Sequence, residues 1–126
     1  MFRKTPQQKH FADKILITHK KMWDLEFLRE KMRMMREGFR MEYDRLREQV
    51  DAATHRLDVE NAKEDKDATI QANLQRLIDR YTPDIEQLQK QMEAIDSQIE
   101  GPEGVNENID GLKTVIGLLE EYRKTI

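Results

Sequence analysis

Cysteine is absent from this chain, proline occurs three times and glycine five times. The first absence excludes a disulfide framework and any thiolate nucleophile or ligand, and it suits a reducing compartment. Few prolines and glycines, with 37 % charged and 37 % hydrophobic residues, suit long helices with narrow apolar seams rather than a thick globular core. No apolar run approaches the roughly 18 residues needed to span a membrane. The opening MFRKTPQQKH has charge without an apolar stretch, so no secretory signal is expected there. The 126 residues are enough for one domain. A cytoplasmic location, or a place within a larger intracellular or viral assembly, is the expectation.

Charge is unevenly spread. Residues 1–40 hold 11 Lys/Arg against 5 Asp/Glu, whereas residues 41–126 hold 11 against 20, and the net charge is −3. A basic head on an acidic body suggests electrostatic docking, to another macromolecule or to a second copy.

The expected organisation is one elongated helical domain over residues 1–126. Thr5-Pro6-Gln7-Gln8 has the form of a helix start, with Thr5 as cap, Pro6 at the first helical position and Gln8 closing a capping box. A helix is predicted from about 6 to 61, roughly 80 Å long at about 1.5 Å per residue. Its seam includes Phe11, Ile15, Met22, Leu25, Leu28, Met32, Met35, Phe39, Tyr43, Leu46, Val50, Ala53 and Leu57, at steps of mostly three and four. The polar stretch at about 58–67 predicts a tip. A second helix follows over about 67–100, with apolar spacing from Ile70 to Ile99. Pro83 either kinks it or, with Thr82 as cap, starts a fresh helix. GPEG at 101–104 is a break, and a third helix is predicted over about 105–125, with Val105, Ile109, Leu112, Ile116, Leu119 and Ile126 at helical spacing.

The two long seams mirror each other. Val50 with Leu74, Tyr43 with Tyr81, Phe39 with Ile85, Met32 with Met92 and Leu25 with Ile99 have numbers that add to 124. Both seams take a step of four where three is due, at Phe39–Tyr43 and Tyr81–Ile85, and such stutters relax a supercoil. The fold class expected is therefore all-α: a long antiparallel coiled-coil hairpin with a shorter third helix packing back, an elongated three-helix bundle.

A second stripe on the first helix, Leu16, Trp23, Phe27, Met34 and Met41, needs its own neighbour. If the third helix runs alongside it, Val105 meets Trp23, Ile109 meets Phe27 and Ile116 meets Met34, with Gly38 permitting close approach. In the competing arrangement the third helix runs the other way, covers residues 6–22 and leaves Met34 and Met41 exposed. Under either version the chain has more apolar stripe than its own helices cover.

Enzyme signatures are missing: no Gly-rich phosphate loop, nucleophile elbow or Cys/His cluster occurs. Glu48, Asp51 and His55 share a helical face, but the residues facing them, Asn73 and Arg76, supply no carboxylate, so a solvated charged face is the expectation and no metal or cofactor is assigned. A non-enzymatic assembly, scaffolding or adaptor-chaperone role through protein contacts and self-association is expected. Phe11, Ile15, Leu16 and Met22 are the candidate anchors, and Lys14, Lys20 and Lys21 the steering charges. Nucleic-acid binding is the alternative, through a basic face that also includes Lys9, Lys31, Arg33, Arg36 and Arg40. The sequence pI of about 5.7 argues against a dedicated binder. Asp13, Asp24 and Glu26 dilute the polar face that a membrane-surface helix would need. No motif assigns the chain to a family.

Overall fold

The computed structural model describes residues 5–125, and Ile126 of the third apolar series lies outside them. The chain is all-α, without a strand among the described residues. Helix α1 runs Pro6–Asn61, α2 Ala68–Glu100 and α3 Val105–Thr125. The start of α1 is the capping box read from the sequence. The Thr5 N–H donates to Gln8 Oε1 and the Gln8 N–H to Thr5 Oγ1, both at 3.1 Å, which satisfies two otherwise orphaned donors.

The chain divides into two compact units, one formed by residues up to Arg33 together with Ile95 onward, the other by Met34–Ala94. The division falls inside α1 and α2 rather than at their ends.

In the 34–94 unit, Leu46 and Val50 of α1 and Ile85 of α2 form a buried cluster, with Tyr43, Ile78, Tyr81 and Leu88 packed against it. Tyr43 and Tyr81 both pack against this cluster, but Ile85, expected opposite Phe39, lies with Leu46 and Val50, and Asn61 meets Gln71 at 2.7 Å, so the helices meet a few residues away from the mirrored register. The turn between the helices is held by side chains. Asp67 Oδ1 accepts from the Thr69 and Ile70 N–H groups at 2.9 and 3.2 Å, capping α2. Buried Glu60 spans the turn, accepting the Asp67 N–H at 2.9 Å and an ion pair from Lys63 at 2.9 Å. The Lys63 ammonium, and then the Asp67 N–H, hold the Glu60 carboxyl below its usual pKa of 4.5. Pro83 is exposed inside an unbroken α2. Having no N–H, it withholds the bond that a residue there gives the Asp79 carbonyl. One residue earlier, the Thr82 hydroxyl donates to the Ile78 carbonyl at 2.7 Å.

In the other unit, Met22, Val105 and Ile109 form the buried cluster, flanked by Leu25, Met32, Leu112 and Ile116. Two contacts set the direction of α3. Arg29 Nη1 donates to Asn106 Oδ1 at 2.8 Å, and the Phe11 and Tyr122 rings stack with centroids 6.3 Å apart. As numbers rise along α3 they fall along α1, so the two are antiparallel. This is the competing arrangement, not the register pairing Val105, Ile109 and Ile116 with Trp23, Phe27 and Met34. The physical reason lies in GPEG, which shifts the chain by one tight turn. The Gly101 N–H still donates to the Ser97 carbonyl, Gly104 to Gly101, and Asn108 to Gly104. Both glycines are required by space. A Cβ on Gly104 would lie 2.7 Å from the Gly101 oxygen, and one on Gly101 would run into the Ser97 oxygen. Glu103 takes a left-handed φ of 59°, and its N–H is held by Glu107 Oε2 at 2.9 Å. Glu107 in the first turn of α3, and Arg123 and Lys124 in its last, oppose the helix dipole with the right signs.

Candidate interaction surface

The antiparallel α3 covers the segment of α1 that holds the candidate anchors. Ile15 and Met22 are buried, Phe11 is half-buried against Tyr122, and buried Thr18 turns its hydroxyl onto the Lys14 carbonyl at 2.7 Å. Of the four candidate anchors only Leu16 is exposed, at 62 %. Lys14, Lys20 and Lys21 are all exposed, and none of them has an ion-pair partner among the described residues. The seven candidates therefore separate into three folded into their own unit and four at its surface.

Leu16 continues into Trp23 and Phe27, exposed at 54 and 64 %. All three lie on the side of α1 turned away from α3. Lys31 Nζ sits 4.6 Å from the Phe27 ring centroid, a cation–π contact, and the His19 ring lies 5.6 Å from that of Trp23. His19 Nδ1 is buried without a hydrogen-bond partner among the described residues. In the 34–94 unit, Met34 and Met41 are exposed at 68 and 63 %, and a Cβ on Gly38 would meet nothing within 4 Å. Gly38 thus serves no close approach among the described residues.

Sequence reasoning missed a second open surface in the first unit. Between α1 and α3 runs a groove of about 860 Å³, lined on one side by Lys21, Asp24 and Leu28 and on the other by Asn108, Gly111 and Val115. On α1 these residues belong to the series Lys14, Ile17, Lys21, Asp24, Leu28, Lys31, and on α3 to Asn108, Gly111, Val115, Leu118, Tyr122. Both series step by three and four, the spacing of a helix-packing seam. Charges occupy four of the six α1 positions, which hid the pattern from a search for apolar residues.

Electrostatics elsewhere are local. Arg40 is held between Glu37 and Asp44, Arg45 bonds Glu42, and Arg47 lies 3.7 Å from Asp51. The Arg40 and Arg45 hydrogen bonds hold the Glu37 and Glu42 carboxyls below the usual carboxylate value. Such exposed pairs add little stability, but those of Arg40 neutralise part of the basic face considered for nucleic acid. No group of three or more His, Cys, Asp or Glu able to hold a metal ion occurs among the described residues, nor a helix long and apolar enough to cross a membrane.

No family model, curated protein or solved structure matches this chain.

Proposed function

We propose that this chain is a non-enzymatic assembly or adaptor protein that works through helix-on-helix protein contacts, its long helices pairing as an antiparallel coiled-coil hairpin. The observation that supports this most is the exposed row Leu16, Trp23 and Phe27, flanked by Lys20 and Lys31. Large apolar side chains grouped on a surface, rimmed by charge, are the usual mark of a protein contact, and aromatic residues supply much of the binding energy at such contacts. The lysines steer an acidic partner towards the row. Intracellular assembly is the setting proposed.

The test is chemical crosslinking with mass mapping, at low and high salt, on the wild type and on a Leu16→Ser, Trp23→Ser, Phe27→Ser triple variant of unchanged helicity. Crosslinks at the row, lost in the variant, support the assembly role. A labelled random duplex and a labelled single strand are titrated in parallel. Binding to either that weakens steeply with salt, with no protein crosslinks at the row, overturns the assembly role in favour of nucleic acid.

A further inference from the structure

From the groove between α1 and α3 we infer that a second copy of this chain docks there, forming an antiparallel four-helix interface. The inference rests on the proposed role in protein contacts, but on a different face from the Leu16–Trp23–Phe27 row. An open groove between two helices leaves each with an unfilled seam, and the general solution is another helix pair laid across it. The pattern of the α1 seam indicates which pair.

Lys21 and Asp24 lie three residues apart at the middle of the groove, opposite in sign and both exposed. Outside them, at matched distances of four residues, stand Ile17 and Leu28, both exposed apolar residues. This order reads apolar, positive, negative, apolar. A two-fold axis between Lys21 and Asp24, perpendicular to the helix, lays a second α1 antiparallel on the first. Each Lys21 then meets the Asp24 of the other copy, and each Ile17 meets the other Leu28. The interface is isologous, so every favourable pair occurs twice. A parallel arrangement of the two α1 helices would set Lys21 level with Lys21 and Asp24 with Asp24, which charge disfavours.

The same axis falls between Gly111 and Leu112 of α3, because the Arg29–Asn106 and Phe11–Tyr122 contacts place residues near 111 and 112 level with Met22. A Cβ on Gly111 would meet nothing within 4 Å. The crossing point of the two α3 helices is therefore occupied by the smallest residue available, and the backbones can approach there. Leu118 and Tyr122, exposed at 53 and 62 %, continue the α3 seam outward from the axis.

Charge exchange supplies the test, because Lys21 and Asp24 are exposed and can be altered without disturbing the fold. Lys21→Asp alone sets two carboxylates against two, and Asp24→Lys alone sets two ammoniums against two. Each variant, with unchanged helicity, should raise the dimer dissociation constant at least tenfold by analytical ultracentrifugation. Mixed in equal amounts, the two variants should form a heterodimer, since every facing pair is then opposite in sign. The chain has no native cysteine, so Ile17→Cys mixed with Leu28→Cys should give a disulfide-linked heterodimer in excess of either homodimer. Three results overturn the inference: a wild type that stays monomeric at all concentrations, a dimer indifferent to charge exchange, and Ile17→Cys crosslinking to itself. None of these affects crosslinks at the Leu16–Trp23–Phe27 row, so failure here is distinguishable from failure of the proposed function.

Discussion

Ile109→Ala and Trp23→Ala separate the two ways in which α3 could lie on α1. Ile109 is 1 % exposed, with Met22 and Val105 in its cluster. Truncation to alanine removes three buried carbons, roughly 2.4 kcal/mol at about 0.8 kcal/mol each. A cavity cost adds to this, reduced because flexible Met22 and Met32 can lean in, for a total of about 3 kcal/mol. Trp23 is more than half exposed, and its loss should cost less than about 1 kcal/mol. With a urea slope of about 1.5 kcal/mol per molar, Ile109→Ala lowers the midpoint by roughly 2 M, and Trp23→Ala by well under 1 M. Circular dichroism at 222 nm reads both variants. Had α3 run parallel to α1 with Val105 on Trp23 and Ile109 on Phe27, Trp23 would be a core residue. Equal losses from the two substitutions, or a negligible one from Ile109→Ala, would refute the antiparallel packing.

Three further outcomes are expected. Gly38→Ala should raise stability by about 0.5–1 kcal/mol in thermal melts, because the added methyl meets nothing and the helix gains propensity. Gly104→Ala should lower it by about 2 kcal/mol, because the methyl is driven against the Gly101 and Gln98 carbonyl oxygens at 2.7 and 2.8 Å. Glu60 has a folded pKa depressed below 4.5, so its contribution is complete above that value and is lost as pH falls through the depressed one. Melts at pH 5.5 and 3.5 should therefore differ less for Glu60→Gln than for the wild type. A remaining difference is expected, because Glu37 and Glu42 are depressed in the same direction.

The helices and their ends were legible because they depend on local chemistry. Thr5 and Gln8 form a capping box by spacing alone, the polar 58–67 stretch has no apolar seam to continue, and GPEG cannot continue a helix. The mirrored numbers set Ile85 opposite Phe39, but it packs with Leu46 and Val50, because the length of the turn, which apolar spacing does not encode, fixes the register. That the two seams pack together was legible. The direction of α3 was not. Val105, Ile109, Leu112 and Ile116 present an apolar face that fits either stripe of α1, and the choice was made by hydrogen bonding inside the 101–104 turn, which apolar spacing does not encode. The exposure of the candidate site followed from that choice. Ile15 and Met22 look like contact residues only if α3 lies elsewhere. The groove escaped notice because it is marked by alternating charge and by glycine rather than by apolar residues.

The turn at Glu60 and the ring stack at Tyr122 also differ in how far apart their partners lie along the chain. Glu60 meets Asp67 across seven residues and Asn61 meets Gln71 across ten, whereas Arg29 reaches Asn106 across 77. Contacts between sequence neighbours close first, and distant ones wait for the intervening chain to order. Refolding should therefore begin at the turn and finish where α3 meets α1. During synthesis the same order is imposed by time. Ile15, Met22 and Leu25 leave the ribosome roughly eighty to a hundred residues before the part of α3 that covers them, and at about 5–20 residues per second they stay bare for several seconds or more. For that interval the newborn chain presents a greasy, lysine-flanked helix to whatever attends nascent polypeptides, and the closure of α3 withdraws it.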